Sequence, residues 1–586
     1  MAILLNALSI LDGGLGVTQP GGRPVAVIGC CASGDGTPTL CYTPEQLVDA
    51  GGYGPATEDA TTILALAGGP VYLVRAATAT AAVLGGYCAT GAGSASHGTI
   101  SADGGNTSTA VLALGGTAVE ASPVVIIVTH AGSNLAASPR IKLSFDGGVT
   151  FLAEQTAVAG PTTISNGLTL TITDGTFVLG DSFAAVGATS TTRGAPTGSS
   201  VPTFSGTPLC AFSMQVKTVT AAASLTALTA AIQVSLDDGR SWGAPVGIPT
   251  NGAYVIPNTG VTVTFAAGTF VVGDMWFLKT APPKFDASSL TDALGALASI
   301  AGNYEFAHLA GDIDRTHAAA VVTWGTARAA AGEYVFAVGG VRDQATGEGR
   351  TTWMTAIGGA TPGFSGFDGM QFLDAHASHG FLASALYPGS YFRRNGAALL
   401  SARLASISVD EHPGRVKSGP IAGLMPTTDA PTVVQDGLDM PTLDSYRFSV
   451  MQSVRGQPRG RYFFTSRTMA GPTSDFGEVQ RIRVMCVAAT AALAEMSTQI
   501  GSDPEVKGDG SGQLTEGEAS AIDAEVSAAI RRAVVDAPHN FATRASAHID
   551  RTVDVLSTGE LKAAISIVPK GSVNAVTTTI TYARSA

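Results

Sequence analysis

Charge is what this sequence has least of. Only 13% of its 586 residues are Asp, Glu, Lys or Arg, and the balance is acidic, with a net charge of −12. No basic cluster is available to displace counterions from phosphates, which argues against direct contact with nucleic acid. Long apolar runs are also missing. None approaches the roughly 18–20 residues needed to span a bilayer, so membrane insertion is not expected. The opening MAILLNALSILDGG has no basic residue and carries Asp12, so it does not read as a signal peptide, and a soluble protein is expected. Six cysteines (Cys30, Cys31, Cys41, Cys88, Cys210 and Cys486) follow no metal or disulfide spacing. Adjacent Cys30 and Cys31 follow an apolar run and read as small buried hydrophobes in a reduced, intracellular protein.

Catalytic signatures are absent as well. There is no Gly-x-Ser-x-Gly elbow, no His-Glu-x-x-His and no Cys-x-x-Cys. Gly29, Gly34 and Gly36 invite a phosphate-loop reading, but Gly34 is followed by Asp35-Gly36 where Lys-Ser/Thr is required, and a carboxylate repels phosphate. The best candidate site is Asp374-Ala-His376-Ala-Ser-His379. On a helix the two histidines would share a face and could share a metal. With nine histidines in the chain, one such pair arises by chance, and a structural pair is the expectation. Lys507–Glu518 imitates a calcium loop, with Asp509, Ser511, Gly512, Leu514, Thr515 and Glu518 in register. Lys507, however, puts an ammonium group at the first ligand position, where a carboxylate is needed. The sequence therefore predicts no enzyme, no metal and no cofactor.

What the chain does have is 72 glycines and abundant Ala, Thr and Ser. With so little charge, this suits either a surface covered by copies of the same protein or a β-rich fold. The length allows several domains. Residues 1–22 form an apolar arm, with Ile3, Leu5, Leu8 and Ile10 along it. It reads either as an edge strand of its own domain or as a strand donated to a neighbouring subunit. Residues 23–86 read as α/β: a buried strand Pro24–Gly29, a helix over Thr43–Ala50 capped by Thr43, a second over Glu58–Ala67, and a strand Val71–Arg75.

From 87 to 283 the sequence turns Gly/Ser/Thr-rich and repeats itself. Ile141–Phe151 aligns with Ile232–Trp242, and Gly175–Phe183 with Gly268–Trp276, at offsets of 91 and 93 residues. This predicts two tandem β-sandwich-like modules, 87–195 and 196–283. Each repeat holds a Ser-x-Asp-x-Gly-x-Thr/Ser-aromatic element that resembles the Asp-box of sialidase propellers. There Asp146 or Asp237 would brace a turn whose Gly148 or Gly239 takes a conformation other residues avoid.

Residues 284–460 return to α/β alternation, with a helix starting near Phe285-Asp286, a helix over Arg315–Ala331, and strand-like runs at Tyr304–Gly311, Tyr334–Gly339, Phe381–Tyr391 and Leu404–Val409. In 461–570, the run Arg461–Phe464 predicts a buried strand. After the 471–475 turn comes a long helix capped by Ser474 or Asp475, apolar at helical spacing from Val479 to Ile500, with Arg481 and Arg483 on its flank. Asp503–Glu518 reads as a polar, mobile loop, Thr515–Val535 as a helix, and His548–Leu556 and Leu561–Val568 as strands. In the closing arm, 571–586, Val576, Thr578, Ile580 and Tyr582 share one face of a strand.

Three of these segments together resemble the contractile bacteriophage tail sheath family, also found in R-type bacteriocins and related contractile injection systems. The first is the 23–76 order of strand, polar loop, two helices and Gly68-Gly69-Pro70-Val71-Tyr72 strand. The second is Ser418–Asp429. The third is Phe464-Thr465-Ser466-Arg467-Thr468-Met469 running into Glu478-Val479-Gln480-Arg481-Ile482-Arg483. The resemblance implies an α+β and α/β multidomain core with mixed sheets and helices, the two β modules being an insertion. It also implies a structural, non-enzymatic homo-oligomer, a helical stack of rings around a tail tube, joined to baseplate and terminator proteins. Such a subunit is assembled in the host bacterial cytoplasm and resides in the virion tail. The N- and C-terminal arms would exchange strands between subunits, and Arg531 and Arg532 would meet acidic tube groups, unless they are merely solvated. The rival readings are a carbohydrate-binding or sialidase-like β protein, suggested by the Asp-boxes, and another virion tail or decoration protein.

Overall fold

The computed structural model describes residues 24–89, 99–102, 106–116, 124–145, 151–164, 168–186, 198–227, 229–300, 303–345, 348, 350–359, 364, 370–425, 440–454, 456–471 and 474–571. Both arms, with Ile3, Leu5, Leu8, Ile10, Val576, Thr578, Ile580 and Tyr582, lie outside these residues, as do Asp146 and Gly148. What is described is an α+β, multidomain arrangement of several sheets and helices.

The body begins with β1 (Val25–Gly29) and β2 (Thr39–Cys41), then α1 (Pro44–Gly51), α2 (Pro55–Ala67) and β3 (Val71–Arg75). Thr43 caps α1 by accepting from the Gln46 N–H, which matches the sequence reading. The second helix starts three residues earlier than predicted because Pro55, with φ preset, occupies its first turn. Cys30, Cys31 and Cys41 are buried thiols, and burial pushes the Cys31 pKa up to about 12.

The β-rich insertion leaves after β3. It contains β4 (Val83–Ala89), β5 (Thr99–Ala102), β6 (Leu112–Gly116), β7 (Val125–His130), β8 (Arg140–Ser144), β9 (Gln155–Thr156), β10 (Gly160–Thr163), β11 (Leu168–Ile172) and β12 (Ser182–Val186). There follow β13 (Pro202–Gly206), β14 (Ser213–Thr220), β15 (Ala231–Ser235), β16 (Val246–Gly247), β17 (Ala253–Ile256), β18 (Val261–Phe265) and β19 (Met275–Ala281). One half has sheets ordered β10-β11-β6 and β5-β12-β7-β8-β9 around a single core. The other repeats that order strand for strand, as β17-β18-β13 and β4-β19-β14-β15-β16. Its edge strand β4 precedes the whole first module in the chain, so the first module is spliced into the second after its opening strand. The insertion also returns to where it left: the Thr80 and Lys284 backbones exchange hydrogen bonds of 3.0 Å in each direction.

The body resumes with α3 (Ala287–Ala296), capped by Asp286, then β20 (Ala307–Ile313), α4 (Arg315–Ala330), β21 (Ala337–Val341), α5 (Arg350–Gly358) and β22 (Leu373–His376). A hairpin, β23 (His379–Ala383) and β24 (Tyr391–Asn395), leads into α6 (Ala397–Ser406), α7 (Met440–Ser445), β25 (Val450–Gln452) and β26 (Tyr462–Thr465). The main sheet runs β2-β3-β1-β20-β21-β22, parallel except for β2 at its edge. Numbering the parallel strands along the chain gives the doubly wound order 2-1-3-4-5, which reverses between β1 and β20. Both faces are covered, which is why β1 is apolar at every position rather than alternating. Ala26 and Ile28 face a core shared with α3, α4 and α5. Val25 and Val27 face the other, shared with α2 and α6. The strand expected over Leu404–Val409 is not formed: Leu404–Ser406 end α6, eight of whose ten residues are buried, and 407–409 are irregular.

The C-terminal part is α8 (Val479–Met496), α9 (Glu516–Val534), β27 (Ala542–Ile549), α10 (Val555–Thr558) and β28 (Ala563–Pro569). The first turn of α8 places Val479 and Ile482 in the body's core, and Val484, Ala488 and Ala492 lie in a separate core with α9 and β27. Neither Ser474 nor Asp475 caps this helix, because the backbone turns helical only after Glu478, the N-cap residue. The strand expected to reach Leu556 stops at Ile549, and Val555–Thr558 forms a helical turn capped by Asp554. The 503–518 segment folds back on itself through a Val506–Leu514 bridge.

Candidate functional site

One surface with unused bonding capacity is the β27–β28 ribbon. An isolated pair of strands is marginal in water and needs a further layer. Here α9 supplies it on one side: the Ala547 N–H donates to Ser527 Oγ (2.9 Å) and the Ile549 N–H to Asp523 Oδ1 (2.5 Å), so the outer edge of β27 is covered by helix side chains. Arg551 ties the same corner to Asp523 (3.0 Å) and Glu516 (2.9 Å). The outer edge of β28 forms no hydrogen bond among the described residues, and Ile565 and Val568 on it are 37% and 49% exposed. This is an open template for another strand.

Arg531 and Arg532 sit in the last turn of α9, where cations complement the helix dipole. Both side chains are mostly exposed, and each forms a long ion pair, Arg531 with Asp536 (3.9 Å) and Arg532 with Glu495 (3.7 Å).

His376 and His379 are not on a helix. They end β22 and begin β23, and both are buried. Asn395 organises them, donating from Nδ2 to the carbonyls of Val341 and His376 and placing Oδ1 3.2 Å from His376 Nδ1. Burial drives the His376 pKa down to about 3, and the His379 pKa down as well. Asp374, on the same strand, accepts from Ser449 Oγ (2.5 Å) and Ser466 Oγ (3.2 Å), and burial raises its pKa to about 7. Among the described residues no group of three His, Cys, Asp or Glu side chains could hold a metal.

The Asp237 turn is built as its sequence indicates. Ser241 donates from its backbone N–H to Asp237 Oδ1 and from its hydroxyl to Oδ2, both at 2.8 Å, and Gly239 has φ +79°. A further contact lies beyond the turn: the Tyr391 N–H donates to Asp237 Oδ2 (3.1 Å), fixing the second module to the body hairpin. In the calcium-like loop, Lys507 Nζ donates to Gln513 Oε1 (2.9 Å), and Asp509 holds the Ser511 turn. The ammonium group thus closes the loop as a hairpin.

Sequence reasoning missed two arginines that tie distant segments together, Arg483 buried and Arg394 partly so. Arg483, expected on a helix flank, has a fully buried side chain, 2.6 Å from Glu305 and donating to the carbonyls of Ile407 and Ser408. Arg394 reaches Glu58 of α2 (3.0 Å) and the Ala211 carbonyl of the second module (2.8 Å). For Arg483 the sequence signal was an arginine between Ile482 and Val484 in a chain that uses so few charges; Arg394, between Arg393 and Asn395, carried none.

A doubly wound α/β body, carrying paired β modules as an insertion and an open-edged ribbon behind a long helix, defines a multidomain structural class. The chain belongs to the DUF2586 family, whose N-terminal-domain model matches residues 7–467, ending before α8. Comparison with curated proteins finds no match. Among solved structures, the sheath tail protein from Listeria innocua is 11% identical, with a TM-score of 0.38 over 93% of this chain and 95% of that one. The anti-feeding prophage helical sheath in its contracted state is 13% identical (TM-score 0.35, over 52% of this chain and 78% of that one). A chain of the anti-feeding prophage baseplate is 14% identical (TM-score 0.34, 52% and 76%). All three scores fall short of a shared overall fold. No helix among the described residues is long and apolar enough to cross a membrane.

Proposed function

We propose that this chain is the sheath subunit of a contractile tail or related injection system. In this role it polymerises into a helical sleeve around a tail tube and contracts to drive the tube through a cell envelope. The observation that carries the reading is the open edge of β28. Among the described residues the ribbon is covered on its β27 side and forms no hydrogen bond on the other. The closing arm, with Val576, Thr578, Ile580 and Tyr582 on one face, has the alternation of a strand that could complete it in a neighbouring copy. The apolar arm bearing Ile3, Leu5, Leu8 and Ile10 would do the same at the other end, leaving subunits linked while they rotate.

The sequence order of the three sheath-like segments supports the same reading. So does a surface poor in charge, which suits contact with further copies. Two β-sandwich modules would then project from the sleeve as decoration. Arg531 and Arg532, exposed and loosely paired, are the cations proposed to meet the tube. The baseplate and the tail terminator would close the two ends of the sleeve, after assembly in the bacterial cytoplasm. Such a subunit needs no catalysis and no cofactor, because contraction releases energy held in a metastable lattice as subunits bury more contact area.

Negative-stain electron microscopy of the purified protein tests this. Wide striated sleeves are expected from the full chain, and only small species from a variant lacking residues 1–20 and 573–586. Normal sleeves from the truncated chain, or narrow cylinders from the full one, would contradict it.

A further inference from the structure

In open α/β sheets, ligands bind outside the carboxyl ends of the strands where the strand order reverses. Here that position lies beside β20, and it holds a cavity of about 320 Å³, within the range of roughly 300–1,000 Å³ typical of small-molecule sites. Three parts of the chain wall it: the ends of β20 and β21 at Gly311 and Gly340, the second module at Phe212 and Lys279, and the hairpin at Phe381 and Phe392.

The charges around it are unevenly satisfied. Every carboxylate on the wall is engaged. Glu58 is held by Arg394 (3.0 Å), Asp59 by His308 (2.9 Å), Asp343 by Arg393 and Asp312 by Lys284 (3.8 Å). Asp237 is occupied by Ser241 and Tyr391. Among the described residues one cation has no such partner, and a second is only loosely paired, at a distance like that of Asp312. Lys279 has no carboxylate within salt-bridge distance among the described residues. Arg240 lies flat on the Phe381 ring (3.7 Å), gives one bond to the Asp237 carbonyl, and has its nearest carboxylate, Asp238, at 3.9 Å. The cavity therefore sets aromatic side chains, half-buried Phe381 and the nearly buried Phe212 and Phe392, the last faced by Arg394 (4.8 Å), beside cations with donors to spare.

We infer that this cavity binds a small aromatic anion, a carboxylate or a phosphate ester. The ring would pack among Phe212, Phe381 and Phe392, and the anionic group would take the free donors of Arg240 and Lys279. Because its walls come from both the body and the second module, a bound ligand would hold the two together. The inference is independent of whether the chain assembles.

Phenyl phosphate is the probe, titrated into the purified full chain by calorimetry, with melting temperature followed in parallel. Saturable binding at one site and a rise in melting temperature are expected. An Arg240→Ala/Lys279→Ala variant should bind at least about tenfold more weakly while melting as the parent does without ligand. Lys562→Ala, an exposed lysine far along the chain, should bind as the parent does. Absence of saturable binding, equal binding of benzylamine or of inorganic phosphate, or unchanged affinity in the double variant would each overturn the inference. If the double variant fails to fold, Lys279→Gln alone serves, with the same weakening expected.

Discussion

Arg483 Nε lies 2.6 Å from Glu305 Oε1, with the guanidinium wholly buried. The pair joins the first turns of α8 to the segment entering β20, so it fixes the C-terminal part to the body. Breaking a buried pair strands the remaining charge and typically costs about 3–5 kcal/mol. Arg483→Met is therefore expected to lower the denaturant midpoint strongly. Arg483→Met with Glu305→Gln should recover much of the loss in a double-mutant cycle. Additive losses would show that the contact contributes nothing as a pair.

Asp374 makes stability fall as pH rises toward neutrality. Its folded pKa, about 7, lies above the ordinary carboxylate value. Its favourable contribution is therefore fully present below about 4 and is lost as pH rises from there through about 7. Asp374→Asn, which can still bond Ser449 and Ser466, should gain melting temperature relative to the parent between pH 5 and pH 8. A constant difference across that range would refute the assignment.

His376 acts in the opposite direction. With its folded pKa near 3, below the ordinary imidazole value, it stabilises the fold while neutral, and that contribution fades as pH falls from about 6.5 toward 3. His376→Gln should flatten the loss of melting temperature between pH 7 and pH 4.5, even if it is less stable at pH 7. An unchanged acid slope would show that His376 is not the titrating group.

Asp237 links a turn to a domain contact. Asp237→Ala removes acceptors for Ser241 and for the Tyr391 N–H, leaving partly buried donors at a cost of about 1–3 kcal/mol. Limited proteolysis should then cut near residues 235–243 sooner, while the first module is cleaved as before. Equal cleavage rates would mean the bonds to Tyr391 do not hold the second module down.

How far the sequence could be read depended on whether the controlling contacts were local. The strand Val25–Gly29, the Thr43 cap and the Asp237 turn are set by neighbours in the chain, and each was legible. Leu404–Ser406 was misread because a short apolar run suits a buried strand and a buried helix equally, and only packing decides. His376 and His379 would share a face only on a helix, whereas Asp374, His376 and Ser378 alternate with period two, the mark of a strand, and His376 ends one strand as His379 begins the next. Arg483 and Arg394 find their carboxylates 178 and 336 residues away, which no pattern of spacing reveals. For the same reason β4 could not be assigned to the second module, since an entire module separates it from β19.

The strand-exchange claim is tested most directly by crosslinking. One population of the protein would carry Ile565→Cys, on the open edge of β28, and a second would carry cysteine at Thr577, Thr578 or Thr579 in turn. The two would be mixed before assembly and then oxidised. Covalent heterodimers are expected for at least one of the three positions, and only where sleeves form. No heterodimer at any position, despite normal sleeves, would contradict the account.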